Sequence, residues 1–267
     1  IRTIKQGGQK LGAILERLGK EVKPGVNTAH IEELADRAIR DIGGRPAFKN
    51  YPMGDGLKFP SVVCISINDE VVHGVALPGR LIKEGDIVDL DIGMEWPAVP
   101  ELRAQIKAPL NIHSKSGGFF TDMCATFPAG KVSKEAAQLL KVTEECLYLG
   151  IAQAKPGNTV NDIGRAVQDH AEKYGYGIVR DLVGHGVGYY AHEAPDVYNY
   201  EADEDYEDNP VLKEGMVIAI EPMLNIGSEE VRVGRNGFTI LTEDGSLSAH
   251  FEHTVAVSKT GGQILTK

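Results

Sequence analysis

The sequence repeats three short segments in the same order, with an offset between the two copies of about 130 residues. Two pairs contain a Lys-Pro-Gly or Lys-Glu-Gly turn, and the third pair contains an aromatic residue and an acid. A single match could be a common turn, but three in one order indicate a duplicated α/β unit. We therefore predict one pseudo-symmetric domain over residues 1–267, with halves of about 1–130 and 131–267. The matching segments are 23–28 with 155–159, 83–91 with 213–221, and 120–122 with 251–252.

Apolar periodicity predicts the main elements around these turns. Helices are expected to follow both Lys-Pro-Gly turns and near 10–20 and 134–154. The turn Glu243-Asp244-Gly245 predicts a hairpin between the last two strands, and the acidic run 201–208 is predicted to be a solvated loop. The expected strands are 62–68, 87–91, 119–127, 217–221, 237–242 and 250–257.

Charge and composition exclude several classes of protein. The chain has 28 basic and 38 acidic residues, so its net charge of −10 argues against a nucleic-acid binder. Neither a membrane-spanning apolar run nor a signal peptide is expected, because no stretch is long and apolar enough. Three widely spaced cysteines do not form a disulfide framework. A reducing, cytoplasmic location is therefore predicted.

Four carboxylates stand within apolar strand patterns, where an unpaired charge is costly. Asp91 and Glu221 end the two duplicated strands, and Asp122 and Glu252 stand at the third repeated segment. No set of Lys or Arg residues occupies similar strands as partners. A multivalent cation explains all four acids together, whereas a structural hydrogen bond would explain one.

A histidine in a glycine-rich segment would complete this set of ligands. His185 lies between two glycines, and His73 precedes another glycine. A phosphate-binding loop is the alternative, but no Lys-Ser/Thr pair follows the glycines. Most of five other histidines are predicted to be surface or structural residues; the five are His30, His113, His170, His250 and His253. One imidazole with four carboxylates suits two adjacent divalent ions, which activate water and polarise a carbonyl for amide or ester hydrolysis.

Together, these motifs resemble those of the type I methionine aminopeptidases, over nearly the whole chain and in the right order. The resemblance implies the pita-bread fold, with two pseudo-symmetric α/β halves and a curved antiparallel sheet around a dinuclear metal site. The duplication agrees with this fold. The motifs are 59–74, 84–88, 184–188, 220–223 and 250–254.

The resemblance also implies the metal ligands. Asp91 would chelate one ion, Asp122 and Glu252 would bridge both ions, and His185 and Glu221 would complete the shell of the second. Glu221 is also our choice for the proton shuttle, since a ligating carboxylate can hydrogen-bond the nucleophile. The ions could be Co, Mn, Fe or Zn, because availability decides as much as affinity.

The implied substrate residues lie in the same motifs. His73 and His192 would contact the substrate or the tetrahedral intermediate, with His192 at the developing oxyanion. Phe59, Cys64 and Phe238 would line the pocket for the first side chain. Phe238 stands where some relatives have Trp.

The resulting hypothesis is an enzyme that removes N-terminal methionine before a small second residue, by attack of metal-activated water on the scissile carbonyl. Its expected substrates are nascent polypeptides, which it would encounter at the ribosome. Neither nucleic acid nor membrane is an expected partner. A monomer in the cytoplasm is predicted. There are three alternatives. One is a proline-specific peptidase, a class that usually carries a separate N-terminal domain. The others are a type II enzyme, a class with a large insertion after the position of His192, and a pseudoenzyme.

Residues 96–118 separate Asp91 from Asp122 more widely than the family pattern does, and we interpret them as an insertion. They could form an extended hairpin or a lid. A tolerated surface insertion is the simpler reading, because lengthening a loop costs only about 0.6 kcal/mol per doubling. A flap over the entrance is the alternative, since the segment begins and ends near the predicted ligands.

Overall fold

The computed structural model describes residues 1–54, 56–202 and 209–267. Most of the acidic run 201–208, predicted to be a solvated loop, lies outside these residues. The described helices are α1 Arg2–Gly19, α2 Thr28–Asp41, α3 Pro100–Arg103, α4 Lys134–Gln153 and α5 Val160–Ala171, followed by a 3₁₀ turn at Glu172–Tyr174. The described strands are β1 Arg45–Pro46, β2 Val63–Ile67, β3 Glu70–Val72, β4 Ile87–Trp96, β5 Phe119–Pro128, β6 Gly177–Ile178, β7 Gly184–Gly186, β8 Glu193–Val197, β9 Val217–Ile220, β10 Met223–Asn225, β11 Val231–Val233, β12 Ile240–Thr242, β13 Ser248–His250, β14 His253–Ser258 and β15 Gly261–Ile264.

The helices that follow the Lys-Pro-Gly turns begin at polar N-caps. The Asn27 side chain accepts a hydrogen bond from the backbone N–H of Ala29 at the start of α2. At the start of α5, Thr159 and Asp162 form a reciprocal capping box. Such caps satisfy amide groups that a helix leaves without partners. Both predicted helices are confirmed, as are α1 and α4, although α1 begins eight residues earlier than the predicted helix 10–20.

The N-terminal sheet is organised around β4, which pairs with β1 and β2 on one side and with β5 on the other. Every residue of β4 is buried. Val88, Leu90 and Ile92 pack in the core that α1 and α2 cover. Because side chains alternate across a strand, Asp89 and Asp91 face the opposite side of the sheet. Strand β4 therefore contributes one face to the apolar core and directs two acids to the opposite face.

The C-terminal half repeats this arrangement. Its sheet has the order β15-β14-β9-β7-β8, and α4 and α5 cover it. The halves meet where β5 approaches β14. The backbone N–H of Asp122 donates to Thr254 Oγ1 at 2.9 Å, and that of Glu252 donates to the carbonyl of Cys124 at 3.1 Å. These two hydrogen bonds set Asp122 and Glu252 beside each other at the junction.

The predicted strands are found, with three differences. The strand predicted over 237–242 is found only at Ile240–Thr242. The strand predicted over 250–257 is interrupted at 251–252, where β13 ends and β14 begins. The hairpin predicted at Glu243-Asp244-Gly245 is wrong, because β12 pairs with β11 and β3 whereas β13 pairs with β10. The Asp244 carboxylate instead accepts hydrogen bonds from the amides of Ser228 and Ser246. The turn is therefore fixed to a neighbouring loop and does not close a hairpin.

Residues 97–118 connect β4 to β5 directly. Trp96 pairs with Phe119 at the end of the ladder, so the segment is the loop of an extended hairpin. The Asn111 side-chain amide is buried and donates to the carbonyls of Gly118 at 3.0 Å and Tyr189 at 2.7 Å. The segment is thus attached to the loop that carries Tyr189, three residues before His192.

Candidate metal centre

The five predicted ligands come from strands of both halves. Asp91 lies on β4, Asp122 on β5 and His185 on β7. Glu221 follows the last residue of β9, and Glu252 lies in the break between β13 and β14. Strand ends and breaks allow a polar side chain to leave an apolar sheet without disturbing its core.

These side chains converge on one point. Ligand atoms of Asp91, Asp122 and Glu252 lie within 4.8 Å of one another, and so do those of His185, Glu221 and Glu252. Glu252 therefore belongs to both groups. Asp122 also lies within this distance of His185 and His192. The distance from His185 Nε2 to Glu221 Oε1 is 3.5 Å.

Several oxygen atoms of this cluster have no hydrogen-bond donor among the described residues. They are buried, and leaving such atoms without a partner is costly. The atoms are Asp91 Oδ1, Asp122 Oδ1, Glu221 Oε1 and Glu252 Oε1. Buried carboxylate oxygens that point together and lack donors suit divalent cations, so the residues fit a metal site.

Burial and mutual repulsion shift the pKa values of these acids. Burial, reinforced by the Asp122 charge, raises the pKa of Asp91 and of Glu252 well above the usual values. Burial raises the pKa of Asp122 to about 6. Burial alone would raise the pKa of Glu221, but His250 and His185 together outweigh this effect and lower that pKa. The cluster therefore carries more negative charge than its histidines offset, and a divalent cation would balance the excess.

Two neutral imidazoles border the cluster. Burial, together with the neighbouring His185, lowers the pKa of His192 to about 4. The His192 ring lies 4.3 Å from that of His185 and makes an edge contact with Tyr51 at 4.8 Å. Burial lowers the pKa of His73, whose backbone has a left-handed φ of 58°. A non-glycine residue in that region is held there by its surroundings.

A cavity of about 250 Å³ adjoins the acids. Phe59 and Cys64 line it, as do His73 and His192. Phe238 makes an edge contact with Phe59, with ring centroids 6.0 Å apart, and supports this wall. The sequence reasoning missed other lining residues, because they lie in irregular segments or on short strands without a distinctive pattern. They are Phe48, Tyr51, Met53, Val72, Leu182, Val183 and Met223.

A further polar cluster was also missed. His250, interpreted as a surface or structural residue, is only 1% exposed and lines the cavity. Its Nδ1 lies 3.7 Å from Asp89 Oδ2, and its Nε2 lies 3.7 Å from Glu221 Oε2. Ligand atoms of Asp89, Cys124 and His250 lie within 4.8 Å of one another. Strand alternation was the available signal, since Asp89 stands two residues before Asp91 on the same face.

The sequence profile of metallopeptidase family M24 matches residues 2–99 and 110–259. The chain belongs to metallopeptidase family M24. Membership of this family implies use of a divalent metal, in agreement with the cluster of acids. The profile leaves out residues 100–109, which fall within the segment interpreted as an insertion.

Curated relatives of this M24 protein are methionine aminopeptidases. The enzyme of Aquifex aeolicus is 42% identical over 268 residues, which cover 100% of this chain and 96% of that protein. The enzyme of Clostridium acetobutylicum is 41% identical over 266 residues, covering 100% of this chain and 95% of that protein. The predicted resemblance is confirmed.

Solved structures confirm the predicted pita-bread fold. The methionine aminopeptidase of Thermotoga maritima has a TM-score of 0.86 and 33% identity, with coverage of 100% of this chain and 96% of that one. The prolidase of Pyrococcus horikoshii has a TM-score of 0.72 and 21% identity, and this M24 chain covers 61% of it. The second likeness concerns the fold alone.

Proposed function

We propose that this M24 metallopeptidase removes the N-terminal methionine from peptides and proteins whose second residue is small. The observation that carries this proposal is the direct contact between two features. A cluster of acids suited to divalent ions forms one wall of a cavity, and apolar side chains together with His73 and His192 form much of the rest. The relatives of this family at about 40% identity carry the same activity in their names.

Five residues would hold two divalent ions. Asp91 would bind one ion and His185 with Glu221 the other, while Asp122 and Glu252 would bridge them, since Glu252 lies in both ligand groups and Asp122 approaches His185. Bound there, the ions would activate a water molecule and polarise the scissile carbonyl. Co, Mn, Fe and Zn all suit a set of four carboxylates and one imidazole.

Glu221 is the proposed proton shuttle. It faces His185 on one side and His250 on the other, and these histidines lower its pKa against the effect of burial. A carboxylate that stays ionised at this position can accept a proton from water. It can then pass the proton to the leaving amine within the same cavity.

His192 and His73 are proposed to bind the reacting amide. Both are buried neutral imidazoles in the cavity wall, so each can donate one hydrogen bond without adding charge. His192, beside His185, would stabilise the oxyanion. His73 would contact the nitrogen side of the scissile amide. If His192→Ala and His73→Ala both keep the wild-type kcat/KM, these roles are wrong.

The cavity explains the proposed preference for methionine. A volume of about 250 Å³ bordered by Phe59, Cys64 and Met53 accepts one apolar side chain of moderate size. An unbranched thioether adapts to such a cavity and makes favourable contacts with aromatic rings. The substrate's free amine would face the acids, and a large second residue would crowd the reacting carbonyl. Efficient cleavage of an N-acetylated peptide would contradict this orientation.

The proposed substrates are nascent polypeptides, encountered at the ribosome. The proposed state of the protein is a cytoplasmic monomer without nucleic-acid or membrane partners. All three cysteines are buried and free, as a reducing compartment allows. Across the described ranges, the structure has no helix with the length and apolarity to cross a membrane. The acidic net charge of −10 opposes binding to nucleic acid.

One experiment separates the proposal from its alternatives. The purified chain is assayed, with Co, Mn, Fe or Zn added, on Met-Ala and Met-Arg peptides and on an Xaa-Pro peptide. Metal-dependent cleavage of Met-Ala, with much slower cleavage of the other two, is expected. Preferential cleavage of Xaa-Pro would favour a proline-specific peptidase, and metal binding without turnover would favour a pseudoenzyme.

The insertion predicted over 96–118 begins within β4, which includes Trp96, and its remainder, residues 97–118, is proposed to be a surface insertion of a single domain comprising both halves. Support comes from the family profile, which omits 100–109, and from the exposure of Leu110 and Ile112. Replacing 97–115 by a short Gly-Ser turn should leave kcat/KM for di- and hexapeptides unchanged. An altered KM that is larger for the hexapeptide would indicate a flap instead.

A further inference from the structure

Asp89, Cys124 and His250 form a polar cluster beyond the five proposed ligands. Their exposed fractions are 3%, 2% and 1%. Asp89 lies on β4 and Cys124 on its partner strand β5. In this pair of strands Asp89 is opposite Thr126, and Asp91 is opposite Cys124. Asp89 and Cys124 are therefore diagonal neighbours on one face of the sheet. The three ligand types are a carboxylate, a thiol and an imidazole.

The hydrogen bonding of this cluster is incomplete. Asp89 Oδ2 and both ring nitrogens of His250 have no hydrogen-bond partner among the described residues. The 3.7 Å between His250 Nδ1 and Asp89 Oδ2 exceeds the 2.7–3.2 Å of an N–H···O hydrogen bond. The two ring nitrogens are instead at ion-pair distance from Asp89 Oδ2 and Glu221 Oε2, and an ion bound at Nδ1 would replace the first of these contacts.

The observed spacing matches the edge of a metal coordination shell. Nitrogen, oxygen and sulfur atoms bound to a tetrahedral ion at about 2.0–2.3 Å lie roughly 3.3–3.6 Å from one another. The Nδ1-to-Oδ2 distance of 3.7 Å is close to this range, and all three ligand atoms lie within 4.8 Å. We propose that Asp89, Cys124 and His250 form a third metal site, for a thiophilic divalent ion such as Zn²⁺ or Co²⁺.

The backbone around the cluster holds these side chains in place. Thr126 Oγ1 donates to the carbonyl of His250 at 2.9 Å and accepts from its N–H at 3.0 Å. The same hydroxyl lies 3.5 Å from Asp89 Oδ1. One threonine therefore fixes the histidine on β13 relative to the acid on β4.

The proposed site also connects with the neighbouring acids. When Nδ1 of His250 binds an ion, the other ring nitrogen carries a proton and faces Glu221 Oε2 at 3.7 Å. A carboxylate behind a ligating histidine is the usual arrangement that orients such a ligand. His250 lines the cavity, which gives the ion a route to the site. On binding, the Cys124 thiol releases its proton to solvent and the thiolate becomes a ligand.

Charge balance permits one rival arrangement. Four buried carboxylates and the half-buried Glu221 together carry one negative charge more than two divalent ions neutralise. A third divalent ion with the Cys124 thiolate restores neutrality, but a protonated His250 bridging Asp89 and Glu221 does so as well. The arrangement with a protonated His250 does not involve the Cys124 thiol. Ligation of a metal ion by sulfur therefore distinguishes the third metal site from this arrangement.

Cobalt provides the test, because a thiolate bound to Co²⁺ gives a charge-transfer absorption in the near ultraviolet that carboxylate and imidazole ligands do not give. The full chain is stripped with a chelator, reloaded with cobalt chloride, desalted and measured by absorption and elemental analysis. We expect this absorption in the wild type, with about three ions per chain. Cys124→Ser should abolish it and leave about two ions.

Cys64→Ser is the matched control, because Cys64 is an equally buried thiol facing Asp91 across the same sheet. It should retain the absorption and the full complement of ions.

X-ray absorption at the cobalt edge of the wild-type protein should show sulfur in the average coordination shell, a result that does not depend on whether a variant folds. No thiolate absorption at saturating cobalt, its persistence in Cys124→Ser, or its loss in Cys64→Ser would each overturn the proposal. None of these measurements uses peptide cleavage, so failure of the proposed aminopeptidase function is a separate outcome.

Discussion

The two halves of the molecule share a backbone plan but contribute different chemistry. In each half a buried strand supplies one acid, Asp91 or Glu221, and the junction strand or break supplies a second, Asp122 or Glu252. The adjacent strands differ, because β2 places Cys64 opposite Asp91 whereas β7 places His185 beside Glu221. The acids that face the junction are thus alike in the two halves, whereas the neighbouring positions differ, since Cys64 borders the cavity and His185 approaches the acids.

The largest expected effect tests the likeness between the halves. Asp122→Asn and Glu252→Gln each remove one oxygen from a carboxylate proposed to bridge the ions, while keeping side-chain shape. Each should cost about 4 kcal/mol of transition-state stabilisation, roughly a thousandfold in kcat/KM, with the fold retained. Activity on a Met-Ala peptide and bound metal should fall together. Glu214→Gln, at an exposed turn, is the control, and a normal rate for either site variant would break the comparison.

The second prediction tests the difference between β2 and β7. His185→Ala should weaken metal binding by at least about a hundredfold, because it removes a direct ligand and not merely an outer partner. Cys64→Ala should leave the affinity of the dinuclear site unchanged, since the thiol borders the substrate cavity. Titration of the metal-free protein with Co²⁺ measures both. Equal losses would mean that the two halves ligate more symmetrically than proposed.

The third prediction concerns the substrate pocket, which the N-terminal half largely supplies. Phe59→Ala enlarges the cavity and removes an aromatic contact to the methionine side chain. Discrimination between Met-Ala and a peptide with a smaller first residue should fall by about 1–3 kcal/mol. Phe238→Ala should lose less, because Phe238 supports Phe59 by an edge contact without lining the cavity. Comparing kcat/KM values for the two peptides tests this order, and the reverse order would refute it.

The smallest expected effect is a dependence on pH. Burial raises the folded pKa of Asp122 to about 6, above its ordinary value, so ionisation destabilises the metal-free fold as pH rises through about 6. Bound divalent ions favour the ionised form and reverse this penalty. The gap in Tm between metal-loaded and chelated protein should therefore widen from about pH 5 to about pH 7. A constant or narrowing gap would contradict the proposed charge deficit.

Much of this architecture could be predicted from the sequence. The repeated turns gave the two halves, because Lys-Pro-Gly and Lys-Glu-Gly segments have strong local preferences that the tertiary structure leaves unchanged. Asp91, Asp122, Glu221 and Glu252 stood out because a carboxylate in an apolar strand requires a partner. His185 stood out because glycines flank it.

Other features depend on contacts between distant segments. The setting of His250 comes from Asp89, far away in the sequence, and although strand alternation places Asp89 on the same face as Asp91, no local pattern places His250 beside it. The supposed hairpin at residues 243–245 failed because Asp244 bonds to Ser228 in another loop. Cavity residues such as Tyr51 and Met53 lie in an irregular segment without periodicity. Such positions are decided by packing between elements, which a single sequence does not display.

The hydrogen bonds that join β5 to β14 make the candidate site a property of the interface between the halves. A solitary half would carry two of the acids along one open flank, too few to enclose an ion and with no opposing wall to hold a peptide. Asp122 and Glu252 stand on either side of this interface, beside the contacts through Thr254 and Cys124. A change that loosens these contacts would therefore separate the acids without altering any of them.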